Sequence, residues 1–299
     1  MRLLLKKAAI IGLLALLAGC SSLRLGYGNG PTLAWWWLDR QLGFSAEQAP
    51  YVKDALAQWF AWHRATQLPE HVALLAALQA EVEASTTTAA RLCGFEAQVR
   101  RQFGVSFDHM LPLAAAVVPR LGEAQWARLE QRHAKDSANR RAKLAAADAQ
   151  ARAESSSTRA IERAEMLYGR LDDAQRRLLS EGAAAEPYDA RIALGERERR
   201  QRATLQTLRR LTAEGAGAET ALPALQQLAD EFQRSPDAEY RAYLQRMRLH
   251  NCEMAAQLHN TTTAAQRRAA RSKLEGWQSD LRALSPASPP AMEAATASR

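Results

Sequence analysis

The sequence predicts an all-α chain, a multi-helix elongated bundle with one or two long helices behind a cleaved signal peptide. Three observations carry that expectation. Glycine is sparse (15 of 299 residues), alanine, leucine, glutamine and arginine abound, and long alternating Val/Ile/Thr runs are missing. A helix-start phrase recurs four times, as Phe44-Ser45-Ala46-Glu47-Gln48, Leu121-Gly122-Glu123-Ala124-Gln125, Leu171-Asp172-Asp173-Ala174-Gln175 and Thr262-Thr263-Ala264-Ala265-Gln266. Each sets a cap-type residue three positions before glutamine, the spacing of a capping box, so Ser45, Gly122, Asp172 and Thr263 are each expected to start a helix. Gly122, lacking a side-chain acceptor, should be the weakest. Finally, Glu123 to Gly169 contains no proline or interior glycine, room for a helix of roughly 70 Å.

At the amino terminus, Arg2, Lys6 and Lys7 precede an apolar run from Ala8 to Leu17 and then Leu17-Ala18-Gly19-Cys20. These are the parts of a secretory signal, and about ten apolar residues cover roughly half of a ~30 Å hydrocarbon core. The tetrapeptide resembles the lipobox of bacterial lipoproteins. That resemblance implies cleavage after residue 19, acylation of Cys20 and anchoring in a membrane; Ser21, where an aspartate would favour the inner membrane, implies the outer one. A plain secreted protein is the alternative. The expected divisions are a lipoprotein signal peptide (1–19), a lipidated tether (20–31), a helical domain (32–284) and a disordered tail rich in Pro, Ala and Ser (285–299).

Gly26, Gly28 and Gly30 predict a flexible tether. Trp35-Trp36-Trp37 suits either a lipid surface or docking into the body. Docking is favoured, because Asp39, Arg40 and Gln41 follow at once. Val52, Leu56, Trp59 and His63 form one helical stripe, and Pro69 predicts a break before a helix over 70–84. Trp62-His63-Arg64 reads as a helix end complementing the dipole, or as a binding corner. Ser85 to Thr88 opens a helix expected to weaken at Gly104 and to be kinked or short around Pro112. Ser155 to Thr158 could interrupt the long helix after Glu123, whose polar middle suggests partial packing. A helix over 188–211 carries Glu196-Arg197-Glu198-Arg199-Arg200, read as a solvated face. Gly215 to Ala218 is a loop, and helices over 220–232, 236–259 and 263–284 close the chain, the second capped by Ser235.

Net charge is +8, falling to +5 (37 basic, 32 acidic) without the signal. Dispersed arginine and the absence of a basic block argue against nucleic acid. No His-Glu-x-x-His, nucleophile elbow or phosphate loop occurs among the six histidines, the serines and the glycines. The expectation is therefore no enzyme, no cofactor, no metal and no small-molecule substrate. With Cys20 acylated, Cys93 and Cys252 remain, an even pair that reads as a disulfide in an oxidising compartment; two buried free thiols are the alternative.

The lipobox with Ser21-Ser22, Tyr27 through Trp37, Phe44 to Gln48, Trp62-His63-Arg64 with Gln67-Leu68-Pro69, and Thr261 to Arg267 together resemble a family of uncharacterised proteobacterial lipoproteins. That resemblance covers nearly the whole mature chain and implies no catalytic residues. The repeated phrase is similar, more weakly, to the Leu-Thr-x-x-Gln motif of small periplasmic stress chaperones, although only Thr263 keeps the threonine. The lipase-specific foldases are an analogy in architecture alone. The expected function is a lipoprotein of the outer membrane, facing the periplasm, that binds an envelope protein client as a chaperone or scaffold. A structural protein binding lipopolysaccharide or cell wall is the alternative.

Overall fold

The computed structural model describes residues 22–286 apart from 147. The signal, Cys20 and the tail beyond 286 lie outside them. Twelve α-helices follow one another among the described residues: α1 (Ser22–Gly28), α2 (Gly30–Leu42), α3 (Ala49–Trp62), a π turn (His63–Gln67), α4 (Leu68–Glu83), α5 (Ala89–Val117), a 3-10 turn (Val118–Arg120), α6 (Glu123–Ala146), α7 (Ala149–Tyr168), α8 (Asp173–Ala184), α9 (Ala190–Ala213), α10 (Ala218–Gln233), α11 (Ala238–Asn260) and α12 (Ala264–Leu284). No strand occurs among them. The chain is a multi-helix all-α bundle.

Two hydrophobic cores hold it together. Leu111 and Ala115 of α5, Trp126 of α6, Leu205, Leu208 and Leu211 of α9 and Leu225 of α10 form the first. Trp126 is buried, and its indole N–H donates to Thr212 Oγ1 at 3.0 Å, which removes the cost of burying that donor. Val82 of α4, Ala164 and Tyr168 of α7, Leu179 of α8, Leu258 of α11 and Ala270 and Leu274 of α12 form the second.

Beside each core, two of the repeated phrases meet. Gln48 donates to the Arg120 carbonyl at 2.7 Å, and Gln125 donates to the Gly43 carbonyl at 3.3 Å and to Gln48 at 3.1 Å. Gln175 donates to the Thr261 carbonyl at 3.1 Å and Gln266 to the Arg170 carbonyl at 3.0 Å, while the two amides bond each other in both directions. Every one of the four glutamines thus reaches the carbonyl two residues before its partner's cap. The boxes at Asp172 and Thr263 are complete. At Gly122 only the return bond from Gly122 N–H to Gln125 forms, at 2.9 Å, as a residue without a side chain dictates. We call the two assemblies clasps.

Several expectations need correction. Residues 22–31 are not a flexible tether: α1 is helical, Arg24 pairs with Asp280 of α12 at 2.6 Å, and Tyr27 packs on Phe60. The Ser45 box forms, but α3 begins at Ala49, because Pro50 has no N–H to return to Ala46. Pro69 sits in the first turn of α4, where its missing N–H does little harm, so the chain passes from α3 to α4 through the π turn without a break. α5 runs through Gly104 and Pro112 for 29 residues. Its buried Leu111 and Ala115 and the following Val118 anchor it on both sides of the lost bond. The long polar stretch divides into α6, ending at Ala146, and α7, whose cap Asp148 accepts at Oδ1 from Ala151 N–H at 2.7 Å; it does not divide at the serines, which lie inside α7. Asp237, not Ser235, caps α11.

α6 and α9 do not project as half-packed arms. Their polar faces pair with each other: Arg209 reaches Glu123 and Glu130 at 2.7 and 2.9 Å, Ser137 donates to Gln201 at 3.1 Å, and Arg141–Glu198 and Arg197–Asp136 are ion pairs. Glu196 is buried, not solvated, held by Arg199 and Arg200 at 2.7 Å each.

Candidate functional site

Between α7, α8 and α11, floored by the end of α4 and the start of α5, lies a cleft of about 1170 Å³. Its apolar walls are Leu78, Val82, Leu92, Leu167, Met247 and Met254. Lys143, Arg159 and Arg163 line it as exposed cations, and Arg152 lies among them.

Polar groups in and behind its walls already have hydrogen-bond partners. Glu81 is buried, accepts from Thr87 and Arg91, and is held below the usual carboxylate range chiefly by the Arg91 hydrogen bond. His259 Nε2 donates to the Ala84 carbonyl at 2.9 Å, so in the neutral ring Nδ1 accepts from the Tyr168 hydroxyl at 2.9 Å. Burial pushes the Tyr168 phenol up to about 12, and burial with the neighbouring Tyr188 pushes Tyr243 up to about 12 as well. Both phenols are neutral at physiological pH. Ser157 bonds Ser180 at 2.7 Å, Ser156 donates to Glu186 at 2.9 Å, and His250 donates to the Gly182 carbonyl at 2.9 Å. Such a cleft can hold an apolar body with an acidic edge.

The sulfurs of Cys93 and Cys252 are 2.06 Å apart and their Cα atoms 5.5 Å apart, joining α5 to α11. Leu92 and Asn251, their chain neighbours, line the cleft, so the disulfide fixes one of its walls.

Trp62-His63-Arg64 forms neither a helix end nor an open binding corner. His63 lies in the π turn and is buried; it stacks on Trp59 with centroids 4.7 Å apart, and its Nδ1 shares a hydrogen bond with the Tyr27 hydroxyl at 2.7 Å. Burial, with His71 beside it, lowers its pKa to about 4, leaving a neutral ring. Trp62 stacks on His109 at 3.6 Å. The corner joins α1, α3 and α5. No group of three His, Cys, Asp or Glu side chains among the described residues could hold a metal ion.

Residues 41–241 match a family of unknown function, DUF6279. The chain belongs to that family. The match takes in the clasp of Gln48 and Gln125 and the α7 and α8 walls of the cleft, and stops near the start of α11. Curated proteins and solved structures offer no match to the chain. The cleft was not visible in the DUF6279 sequence, because its walls come from helices as far apart along the chain as α4 and α11 and several of its apolar side chains also serve the second core.

Proposed function

We propose that this DUF6279 protein is a non-enzymatic lipoprotein, acylated at Cys20 and held at the periplasmic side of the outer membrane. Its cleft takes an amphipathic, acid-edged segment of another envelope protein. The observation that carries the reading is the cleft itself, an apolar trough rimmed by cations. Lys143 and Arg163 are exposed and pair with no acidic side chain among the described residues, so they complement a ligand's acidic edge. Met247 and Met254 give the wall an adaptable surface suited to more than one client sequence. That Glu81, His259 and Ser156 are each already taken up by other hydrogen-bond partners favours holding over catalysis. The four glutamines of the repeated phrase are taken up in the clasps, so client contact falls to the cleft.

The test adds the soluble mature chain to an aggregating envelope protein and follows light scattering. Suppression at near-stoichiometric ratios that survives moderate salt, and is lost in Ala255→Trp, which fills the cleft from an exposed wall position, supports the reading. Suppression abolished by moderate salt and indifferent to Ala255→Trp would replace it with binding of anionic polymers by dispersed arginine.

A further inference from the structure

The aromatic run near the amino terminus divides in a way the sequence did not foretell. Trp35 docks, stacking on Phe44 with centroids 5.3 Å apart and carrying Lys53 Nζ 4.7 Å from its ring. Trp36 and Trp37 do not dock: they are 63% and 61% exposed, as are, to lesser degrees, Leu33 and Leu25. Leu33, Trp36, Trp37 and the exposed Arg40 are spaced three, one and three apart, which puts them on one face of α2. Two adjacent exposed indoles on a folded helix are costly in water, and nothing within the described chain covers them.

We propose that this face of α2, with Leu25 of α1, lies in the headgroup layer of an anionic phospholipid bilayer. Three observations select that occupant. Tryptophan is the side chain best suited to a membrane-water interface, offering an apolar body and one N–H for the wet side. Arg40 on the same face can keep its charge among phosphates while its stem covers apolar surface. Last, the face stands beside the attachment point: two peptide links, at most ~7 Å, separate Cys20 from the first residue of α1, and α1 adds ~10 Å before α2 begins. The body is thereby held against the bilayer in one orientation. This inference rests on the acylation of Cys20 for its attachment point, but the face is tested apart from it.

Mature acylated protein is reconstituted into phosphatidylethanolamine–phosphatidylglycerol vesicles containing brominated acyl chains, and tryptophan emission is recorded. The expected result is a blue shift and strong bromolipid quenching, most of which disappears in Trp36→Phe/Trp37→Phe. That variant should keep the wild-type circular dichroism and fatty-acid label. A parallel arm tethers Cys20→Ala protein to nickel-chelating vesicles through an amino-terminal histidine tag. Quenching in this arm with no acylation in cells would keep the face and dismiss the natural anchor. Acylated protein whose Trp36 and Trp37 stay as open to iodide on vesicles as in buffer would overturn the face and keep the anchor. Protection already present in lipid-free buffer at doubled mass would overturn it in favour of a second copy of the chain.

Discussion

Replacing Gln175 by alanine should destabilise this protein more than replacing any other glutamine of the repeated phrase. Gln175 is 1% exposed and satisfies all four positions of its amide: it accepts from Asp172 N–H and Gln266, and donates to the Thr261 carbonyl and Gln266. At about 1 kcal/mol net for each buried bond, with Asp172 N–H and the Thr261 carbonyl left without their partner, Gln175→Ala should lower unfolding free energy by about 3–4 kcal/mol. Gln48 makes three comparable bonds but is only half buried, so water can replace them, and Gln48→Ala should cost about 1 kcal/mol. Because Gln175 and Gln266 bond each other twice, the double variant should be less damaging than the sum of the singles by about 1–2 kcal/mol. Urea unfolding of the soluble mature chain, followed by circular dichroism with the disulfide intact, measures all of these. Equal effects for Gln175→Ala and Gln48→Ala, or strict additivity in the Gln175–Gln266 cycle, would refute the clasp as an energetic unit.

Cys252→Ala opens a link across 159 positions and should lose roughly 5 kcal/mol in the chain-entropy model, seen as a lower thermal midpoint with helix content kept; alkylation of the unfolded, unreduced wild type should find no free thiol at either cysteine. Glu196→Gln removes the charge that holds Arg199 and Arg200 at a buried site and should cost about 3 kcal/mol in urea unfolding. His63 has a folded pKa of about 4 against an ordinary 6.5, so protonation favours the unfolded chain; stability is full above about 6.5 and falls as pH drops toward 4. On the order of 2 kcal/mol of that acid loss should vanish in His63→Asn, measured by urea midpoints across that pH range. Cys20→Ala should leave the chain without label from an alkyne fatty acid, and persisting label would assign the acyl group elsewhere.

What the sequence disclosed and what it hid follow from the range of the interactions. Capping at Asp172 and Thr263 uses side chains within three residues of the backbone they satisfy, so the phrase alone locates those helix starts. That the glutamines of the phrase also meet in pairs depends on contacts 72 to 96 residues away, which no local spacing records. Glu196 sits in a run of alternating charge that reads as a wet surface; its burial comes from the packing of α9 and from Arg199 bridging to Glu231 of α10. Gly26 and Gly28 suggest a loose tether, yet Arg24 and Tyr27 find Asp280 and His63, and those partners make α1 a helix. Pro112 signals a kink by its own chemistry, and only the core flanking it in α5 shows why the helix continues. For Trp35 to Trp37 the local pattern was ambiguous, and one docked indole with two exposed ones is a division only the neighbouring helix α3 and Phe44 could set.

The central claim is that the cleft between α7 and α11 receives part of another protein. A photo-crosslinking amino acid placed at Met254, in the full-length acylated protein in its own envelope, tests it directly. The account predicts a discrete protein adduct that is lost with Arg163→Glu and not formed when the crosslinker stands at the exposed Glu219 of α10. No protein adduct from position 254, or the same adducts from both positions, would contradict it.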